Sequence, residues 1–277
     1  MAETQANPEI GSKVIAAGIE TNYLDQGTGY PLVMLHGSGP GVTAWANWRL
    51  VIPAFSQQHR VVAPDLAGFG YTERKAGTTY NLDFWVNHLV KFLDAVGIEK
   101  CNLVGNSFGG ALSLALATKH PDRVERIVLM GSVGTKFELT DGLDKVWGYQ
   151  PSLENMRETA KVFAYDKSII TDALVQSRYE ASVRPGYQES YSSLFPAPRQ
   201  RHIDAFAQPD EVLRALPNRV LLIHGRDDVV IPLESTLKLH SLIPKSEVHL
   251  FGQCGHWTQI EKKDRFISVV QDFLQAP

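Results

Sequence analysis

A serine flanked by glycines is the first feature of the sequence that could carry out chemistry. Gly105, Ser107 and Gly109 form the pattern G-x-S-x-G, which follows an apolar run at residues 102–104 and precedes a helical pattern. Glycines permit a sharp strand-to-helix turn that strains the serine and exposes its hydroxyl near the positive end of the helix. The pentapeptide alone is a weak signal, but its place between a strand and a helix predicts a nucleophile at Ser107.

A serine hydroxyl becomes a useful nucleophile when a base lies nearby and an acid orients that base. His256 follows the last predicted strand in the sequence G-Q-C-G-H-W, and it alone of the nine histidines stands in a suitable loop. The preceding strand is followed by G-R-D-D, where Asp227 and Asp228 compete for the role of the acid. We assign Asp228, because the acid of such loops lies three residues after the glycine, and we keep Asp227 as the alternative.

A glycine-rich loop, H-G-S-G-P-G at residues 36–41, follows the third predicted strand. A loop at this place supplies one backbone N–H to an oxyanion hole, and the residue after the nucleophile supplies the other. We expect these donors to be Ser38 and Phe108, which would stabilise negative charge on a carbonyl oxygen. The loop lacks the G-x-x-x-x-G-K-[ST] lysine of a phosphate-binding loop. His36 is expected to shape the loop through hydrogen bonds.

Short strand patterns position these loops. Eight β-rich or apolar runs occur at residues 13–17, 20–24, 32–35, 61–64, 102–104, 127–130, 220–224 and 248–251. The first two flank Gly18 and predict an antiparallel hairpin, whereas the later runs alternate with helical patterns and predict parallel strands. Helical spacing of apolar residues is clearest at residues 81–96, 107–120 and 263–274. The pattern predicts an α/β protein with an eight-stranded, mostly parallel sheet and helices on both faces.

The rhythm of strands is interrupted between about residues 134 and 209, where the sequence is helical, aromatic and arginine-containing. We interpret residues 135–209 as a helical cap inserted after the sixth strand of a core formed by residues 1–134 and 210–277. Such a cap would lie over the carboxyl ends of the strands, where these sheets bind ligands. Together with the chain order Ser, Asp, His, this architecture is typical of the α/β-hydrolase fold.

Composition narrows the classes of partner. The chain has 277 residues and a formal net charge of −3, with acidic and basic residues mixed throughout, so neither nucleic acid nor a membrane surface is an expected partner. The first residues lack the pattern of a secretion signal, and we expect a cytoplasmic location. Cys101 and Cys254 lie far apart without ligand-spaced partners, which predicts two reduced thiols and neither a zinc site nor a disulfide.

Five motifs together resemble the meta-cleavage-product hydrolases of aromatic degradation. They are H-G-S-G-P-G, G-N-S-F-G-G, R-Y-E-A-S, F-P-A-P-R-Q-R and C-G-H-W, and the resemblance spans essentially the whole chain. It is strongest to the hydrolases of 2-hydroxymuconic semialdehyde and 2-hydroxy-6-oxohepta-2,4-dienoate. It implies cleavage of a carbon–carbon bond in a 2-hydroxy-6-oxohexa-2,4-dienoate without a metal or organic cofactor, giving 2-hydroxypenta-2,4-dienoate and a carboxylic acid. Members of the family are often dimers or larger, so a homo-oligomer is an expectation.

The resemblance also implies a polar pocket for the carboxylate and 2-hydroxy end of the substrate. The matching residues are Asn47, Asn106, Arg178 and Trp257. An arginine suits this role, because guanidinium binds carboxylate in a bidentate manner that lysine cannot reproduce. Without the resemblance, a solvated cap residue is the preferred interpretation of Arg178, because Arg184, Arg199 and Arg201 also lie in the insertion. The alternative for Asn47 is a helix-capping or turn residue, and the alternative for Trp257 is a packing aromatic.

Trp147 is the candidate for the opposite end of the pocket. As a bulky residue early in the cap, it would narrow the space beyond the scissile bond. The family resemblance implies that such a residue accompanies hydrogen, methyl or small alkyl groups at C6 in place of phenyl. The alternative interpretation is an ordinary aromatic of the cap core.

We expect the dienol to become a keto form, after which Ser107 attacks the far ketone and water hydrolyses the acyl-enzyme. Rival enzymes with the same residues are an ester hydrolase and a cofactor-free haloperoxidase. Dehalogenases and epoxide hydrolases are disfavoured, because they carry an aspartate where Ser107 stands. A rival of another class is a noncatalytic small-molecule receptor on the same scaffold.

Overall fold

The computed structural model describes residues 7–276. The strands are β1 Ser12–Ala16, β2 Ile19–Gln26, β3 Pro31–Leu35, β4 Arg60–Pro64, β5 Cys101–Asn106, β6 Val124–Met130, β7 Arg219–Gly225 and β8 Ser246–Phe251. They form one eight-stranded sheet in the order β1-β2-β4-β3-β5-β6-β7-β8. β2 pairs antiparallel with β1 and β4, and every other pairing is parallel. The mostly parallel sheet and its amino-terminal hairpin are therefore confirmed.

Helices separate the strands. The α-helices outside the insertion are α1 Ala44–Trp48, α2 Ile52–Phe55, α3 Leu82–Ala95, α4 Phe108–Lys119, α11 Leu233–Leu242, α12 Thr258–Glu261 and α13 Lys263–Gln275. The three helices predicted from apolar spacing are α3, α4 and α13, each within one or two residues of its predicted ends. Asn81 begins α3 as its N-cap, since the side-chain oxygen accepts a hydrogen bond from the N–H of Phe84.

The central strands are buried on both faces, and this explains their unbroken apolar character. Successive side chains of β5 point to opposite sides of the sheet. Leu103 packs in the core that includes α3 and α4, whereas Val104 packs in the core that includes α1, α2 and α13. Neither residue has measurable exposure to solvent. Helices therefore cover both faces of the sheet, as predicted.

Six helices lie between β6 and β7, in the segment where the strand pattern is interrupted. They are α5 Asp141–Trp147, α6 Leu153–Phe163, α7 Asp172–Ser182, α8 Tyr187–Leu194, α9 Gln200–Phe206 and α10 Asp210–Arg214. Thr140, Ser152 and Thr171 cap the first three of them through side-chain oxygens that accept backbone N–H groups. Within residues 7–276, no helix is long and apolar enough to cross a membrane.

Because β3, β5, β6, β7 and β8 run parallel, the loops that follow them meet at one edge of the sheet. Ser107 follows β5, Asp228 follows β7 and His256 follows β8. Three residues far apart in sequence are thus brought to the same edge.

Candidate active site

Ser107 occupies a strained turn between β5 and α4. Its backbone angles are φ +53° and ψ −113°, which side-chain-bearing residues rarely adopt. The turn packs tightly against the end of β3, since a Cβ at Gly109 would lie 2.2 Å from the carbonyl oxygen of Leu35. The G-x-S-x-G pattern is therefore explained by close packing on one side and by a strained serine at its centre.

His256 and Asp228 form a buried hydrogen-bonded pair. The distance from His256 Nδ1 to Asp228 Oδ2 is 2.7 Å, and the two side chains are 3% and 1% exposed. The other carboxylate oxygen of Asp228 accepts hydrogen bonds from the N–H groups of Val230 and Ile231. Burial alone would raise the pKa of Asp228, but the charge and hydrogen bond of His256, aided by His224 and the Val230 N–H, lower it below its usual value.

The neighbouring acid and the neighbouring histidine have other partners. Asp227 accepts a hydrogen bond from the N–H of Cys254 at 3.3 Å, and its carboxylate lies 3.5 Å from Arg226. His224 hydrogen-bonds to Thr236 and to the carbonyl of Ile231, and burial lowers its pKa. Its Nε2 also lies 3.5 Å from Asp228 Oδ2, beyond the shorter contact that His256 makes with the same oxygen. The geometry thus brings Asp228, and not Asp227, to the imidazole of His256.

The hydrogen-bonded pair of His256 and Asp228 also requires a glycine beside it. Gly131 follows β6 with φ +50°, and a Cβ there would come within 3.0 Å of His256 Nδ1 and 3.1 Å of Asp228 Oδ2. A side chain at position 131 would therefore displace the hydrogen-bonded pair. The sequence patterns did not reveal this requirement for glycine.

The glycine-rich loop is held by His36, as expected. The ring of His36 donates from Nδ1 to the carbonyl of Gly37 at 2.6 Å and accepts at Nε2 from the N–H of Leu66 at 2.9 Å. Burial lowers the pKa of His36 to about 4, so the ring is neutral at pH 7 and Nε2 can act as an acceptor. The first residue of α1, Ala44, donates its N–H to Asp65 at 2.6 Å, which fixes the far end of the loop.

Ser38 lies at the centre of this loop and is buried. Trp147 on α5 donates its indole N–H to Ser38 Oγ at 2.9 Å. The hydroxyl of Tyr191 on α8 shares its proton between the carbonyl of Val146 at 2.7 Å and the carbonyl of Ser38 at 3.0 Å. The inserted helices therefore hold both the side chain and the main chain of Ser38. Phe108, the other expected oxyanion donor, begins α4, where the first N–H groups of a helix have no partner within the helix.

A cavity lies between the sheet edge and the inserted helices. Its polar lining comprises Ser38, Asn47, Asn106, Ser107, Thr159, Arg178, His256 and Trp257, and its apolar lining includes Val42, Leu143, Val146, Met156, Ala160, Phe163 and Val230. Seven of the ten predicted site residues line the cavity directly, and two more adjoin it, because Asp228 hydrogen-bonds to His256 and Phe108 follows Ser107. No group of three or more His, Cys, Asp and Glu side chains among residues 7–276 could hold a metal ion.

Arg178 is the cation of the cavity. Its guanidinium donates to the carbonyls of Gly41 and Ala46, both at 3.3 Å, and it has no carboxylate partner in the described part of the chain. Burial, together with the nearby charge of Arg49, lowers the pKa of Arg178 to about 10, so it stays charged at pH 7. A partly buried cation without a counter-ion is suited to binding an anionic ligand.

Three neutral side chains accompany Arg178 in the cavity. The side-chain amide nitrogen of Asn47 is buried and has no hydrogen-bond partner, which leaves a donor available to a ligand. Asn106 donates to the carbonyl of Met130 at 3.3 Å. Trp257 stacks on Phe163 with ring centres 5.0 Å apart. These side chains present one charged and several neutral donors to the cavity.

Trp147 differs from its expected placement. It is 3% exposed and stacks on Phe195 with ring centres 4.4 Å apart, but it is not among the described residues that line the cavity. Its neighbours Leu143 and Val146 form that wall because they project from α5 toward the cavity. Trp147 therefore acts on the cavity from behind, through its hydrogen bond to Ser38. Tyr191, which the sequence analysis did not select, has a comparable position.

The strained serine, the buried histidine–aspartate pair and the parallel sheet define a serine hydrolase of the α/β-hydrolase fold, and residues 30–263 match the family described as alpha/beta hydrolase fold. Two relatives are similar over nearly the whole chain. The 2-hydroxymuconate semialdehyde hydrolase of Pseudomonas sp. (strain CF600) is 56% identical over 99% of this chain and 97% of its own. The 2-hydroxy-6-oxo-2,4-heptadienoate hydrolase of Pseudomonas putida (strain F1) is 57% identical over 99% of each.

A comparison with solved structures points to the same family as these two relatives. The meta-cleavage product hydrolase from Pseudomonas fluorescens IP01 superposes with a TM-score of 0.96 at 55% identity, covering 97% of this chain and 98% of its own. The chain therefore belongs to the meta-cleavage product hydrolases, and the family resemblance drawn from its motifs is confirmed.

Proposed function

We propose that this protein hydrolyses the carbon–carbon bond of 2-hydroxy-6-oxohexa-2,4-dienoates that carry a small group at C6, the ring-fission products of aromatic degradation. The products would be 2-hydroxypenta-2,4-dienoate and a carboxylic acid. One observation carries the proposal: the cavity that contains Ser107 and His256 also contains Arg178, a cation without a carboxylate partner among the described residues. A simple ester would have no use for that charge, whereas a dienoate carboxylate would.

In the proposed mechanism, Arg178 and Asn47 bind the carboxylate and the oxygen at C2, with Asn106 and Trp257 as neighbours. The proton of the 2-hydroxyl group leaves and a proton is added at C5, which gives a ketone at C2 conjugated to the C3–C4 double bond. This ketone is required before bond cleavage, because it can accept the electron pair that the breaking C5–C6 bond releases.

Ser107 then adds through Oγ to the carbonyl carbon C6 while His256 takes the hydroxyl proton. Asp228 holds the imidazole so that Nδ1 carries its proton and Nε2 acts as the base. The oxyanion accepts hydrogen bonds from the N–H groups of Ser38 and Phe108. Collapse breaks the C5–C6 bond and moves its electron pair through C3 and C4 onto the oxygen at C2. The proton held by His256 neutralises this dienolate at that oxygen, which gives 2-hydroxypenta-2,4-dienoate and leaves His256 neutral. Water, activated by the same histidine, hydrolyses the acyl-enzyme and frees Ser107.

Residues 135–209 act as a cap in this proposal, with residues 1–134 and 210–277 as the core. α5 and α6 contribute the apolar wall opposite Arg178 through residues such as Leu143, Val146 and Met156. Trp147 supports that wall from behind and limits how far it can move to accept a large group at C6. The preference for small substituents is supported by the relatives named for a semialdehyde and a heptadienoate.

The test is to follow loss of dienolate absorbance with C6-hydrogen, C6-methyl and C6-phenyl substrates, using Ser107→Ala as the control. Fast loss with the small substituents, slow loss with phenyl and no turnover by Ser107→Ala are the expected results. Rapid hydrolysis of simple esters without any dienoate cleavage would favour an esterase. Binding without turnover by the wild-type enzyme would favour a receptor, and unchanged turnover by Ser107→Ala would exclude the covalent scheme.

We also propose a cytoplasmic location and a homo-oligomeric state. Free, buried thiols at Cys101 and Cys254 support a reducing compartment. Cell fractionation tests the location, and light scattering of the purified protein tests the oligomer.

A further inference from the structure

Two further cavities adjoin the one that contains Ser107. Arg178 lines all three cavities, and Trp257 lines the main cavity and one of the other two. Exposed residues of the segment around α7, including Thr171 and Ser177, form their outer walls. Because the three cavities share lining residues, they form a passage between α1 and α7 that leads from the surface to Arg178.

Arg49 stands in the outer part of this passage. It lines both outer cavities but is not among the described residues of the main cavity. Its guanidinium lies over the ring of Trp45, 5.0 Å from the ring centre, and donates to the carbonyl of Ala46 at 2.7 Å. The side chain is therefore held in place while remaining partly exposed.

Arg49 and Arg178 converge on a single acceptor. Both guanidiniums donate to the carbonyl oxygen of Ala46, at 2.7 and 3.3 Å. Within the described residues, neither forms an ion pair with a carboxylate. The acid that lines this passage, Glu9, lies 3.1 Å from Arg184 and is paired with it. The charge of Arg49 acts on Arg178, and the charge of Glu9 acts on both arginines in the opposite sense. Because this one carboxylate also pairs with Arg184, the positive charges exceed the negative charge and leave a local excess of positive potential.

We propose that Arg49 is an outer anion-binding site, which captures the carboxylate of the incoming substrate and delivers it along the passage to Arg178. The ligand class is a small organic carboxylate with delocalised negative charge, so the inference rests on the proposed function. Since Arg49 is separate from the main cavity, it accelerates encounter and is not a contact of the bound substrate. Its contribution weakens with added salt, because screening shortens the range of the field.

The experiment measures substrate association in a Ser107→Ala background, where binding is not followed by turnover. Stopped-flow absorbance of the dienolate gives the association and dissociation rate constants at ionic strengths from about 10 mM to about 0.5 M. The variants are Arg49→Gln, which removes the charge, and Arg49→Lys, which retains it.

The matched control is Arg126→Gln, which removes one positive charge at the opposite edge of the sheet. Arg126 is also partly buried, lies over the ring of Phe273 at 6.0 Å and donates to a backbone carbonyl at 2.7 Å. It stands near the start of β6, whereas the active-site loops follow the carboxyl ends of the strands.

At low ionic strength, Arg49→Gln is expected to slow association about three- to ten-fold, with dissociation changed less than about two-fold. Arg49→Lys and Arg126→Gln should associate nearly as fast as the parent, and all proteins should converge at high salt. A loss that persists at high salt, a change confined to dissociation, or equal behaviour of Arg49→Gln and Arg126→Gln would overturn the inference. Wild-type turnover is measured in parallel: its absence would overturn the proposed function as well, whereas normal turnover with an indifferent Arg49→Gln would overturn this inference alone.

Discussion

At the scale of single residues, the two adjacent aspartates after β7 have the same side chain but differ in burial and in hydrogen-bond partners. Asp228 is enclosed, accepts two backbone N–H groups and faces the ring of His256. Asp227 is part-exposed and lies beside Arg226. Only the first can hold the imidazole in the tautomer that leaves Nε2 free to act as a base.

We predict that Asp228→Asn lowers kcat for dienoate cleavage by about three to four orders of magnitude, as seen when serine hydrolases lose the charge behind the histidine. The amide can donate where the carboxylate must accept, so it would stabilise the wrong tautomer. Asp227→Asn is the matched control and should keep kcat within about three-fold. Steady-state kinetics and circular dichroism of both variants provide the check, and equal losses would remove Asp228 from its assigned role.

His36 makes a second residue-scale prediction, concerning acid stability. Its pKa is lowered to about 4 in the folded protein, so the unfolded chain binds a proton below its ordinary pKa of 6.5 while the folded chain does not. The stability from neutral His36 is present above pH 6.5 and is lost as the pH falls toward 4. This single group accounts for about 3 kcal/mol of the unfolding free energy over that range.

Replacement of His36 with Gln should therefore reduce stability at pH 7 yet flatten its dependence on pH between 6.5 and 4. The exposed His240→Gln variant should retain the wild-type slope. Urea unfolding at several pH values within this range measures both, and a parallel decline in wild type and His36→Gln would contradict the assignment.

At the scale of elements, α5 and α8 of the inserted segment hold the loop that follows β3. Trp147 and Tyr191 both donate to Ser38, so the position of an expected oxyanion donor depends on helices that carry no catalytic group. A small movement of the cap would therefore alter transition-state stabilisation before it altered substrate binding.

We predict that Trp147→Phe lowers kcat about three- to thirty-fold with little change in KM, because the ring can still stack on Phe195 while the N–H is lost. Ser38→Ala removes the other partner and keeps the backbone donor. If the hydrogen bond is the shared cause, the double variant should be little worse than either single one. Additive losses would show that Trp147 and Ser38 act independently, and a larger gain with phenyl substrates would support a role for Trp147 in limiting pocket size.

The elements differ in how far they could be predicted from the sequence. β5 was predictable because it is apolar on both faces, and Ser107, Asp228 and His256 were predictable because each follows such a strand. The short helix α1 and the contacts of Ser38 were not, because Trp147 lies 109 residues from its partner. Such contacts depend on how the inserted helices pack on the core, and no local pattern encodes that packing. The role proposed for Arg49 could not be predicted for the same reason, because it depends on the hydrogen-bond acceptor that Arg49 shares with Arg178.

At the scale of the whole molecule, the reactivity of the two cysteine thiols shows whether the protein is folded. Cys101 opens β5, and Cys254 lies in the loop that carries His256; both are buried. Burial raises the pKa of each thiol to about 12, with the charge of Glu261 adding to the effect at Cys254. Both therefore lack the thiolate that alkylating and disulfide reagents require.

We predict that neither thiol reacts with a disulfide reagent at pH 8 in the native protein, and that both react once urea unfolds it. Mass spectrometry of the labelled protein identifies the sites, and circular dichroism at each urea concentration supplies the comparison. Labelling of Cys254 before the loss of secondary structure would show that the His256 loop opens independently of the core, contrary to this expectation.

The assembly of the site from the ends of separate strands has a consequence for the protein while it is being made. A ribosome adds about 5 to 20 residues per second, so the turn that carries Ser107 is complete on the order of ten seconds before His256 exists. During that interval the nascent chain has its nucleophile but neither the carboxylate nor the base that would activate it. Hydrolysis can therefore begin only after β8 has joined the sheet and brought His256 to Ser107 and Asp228.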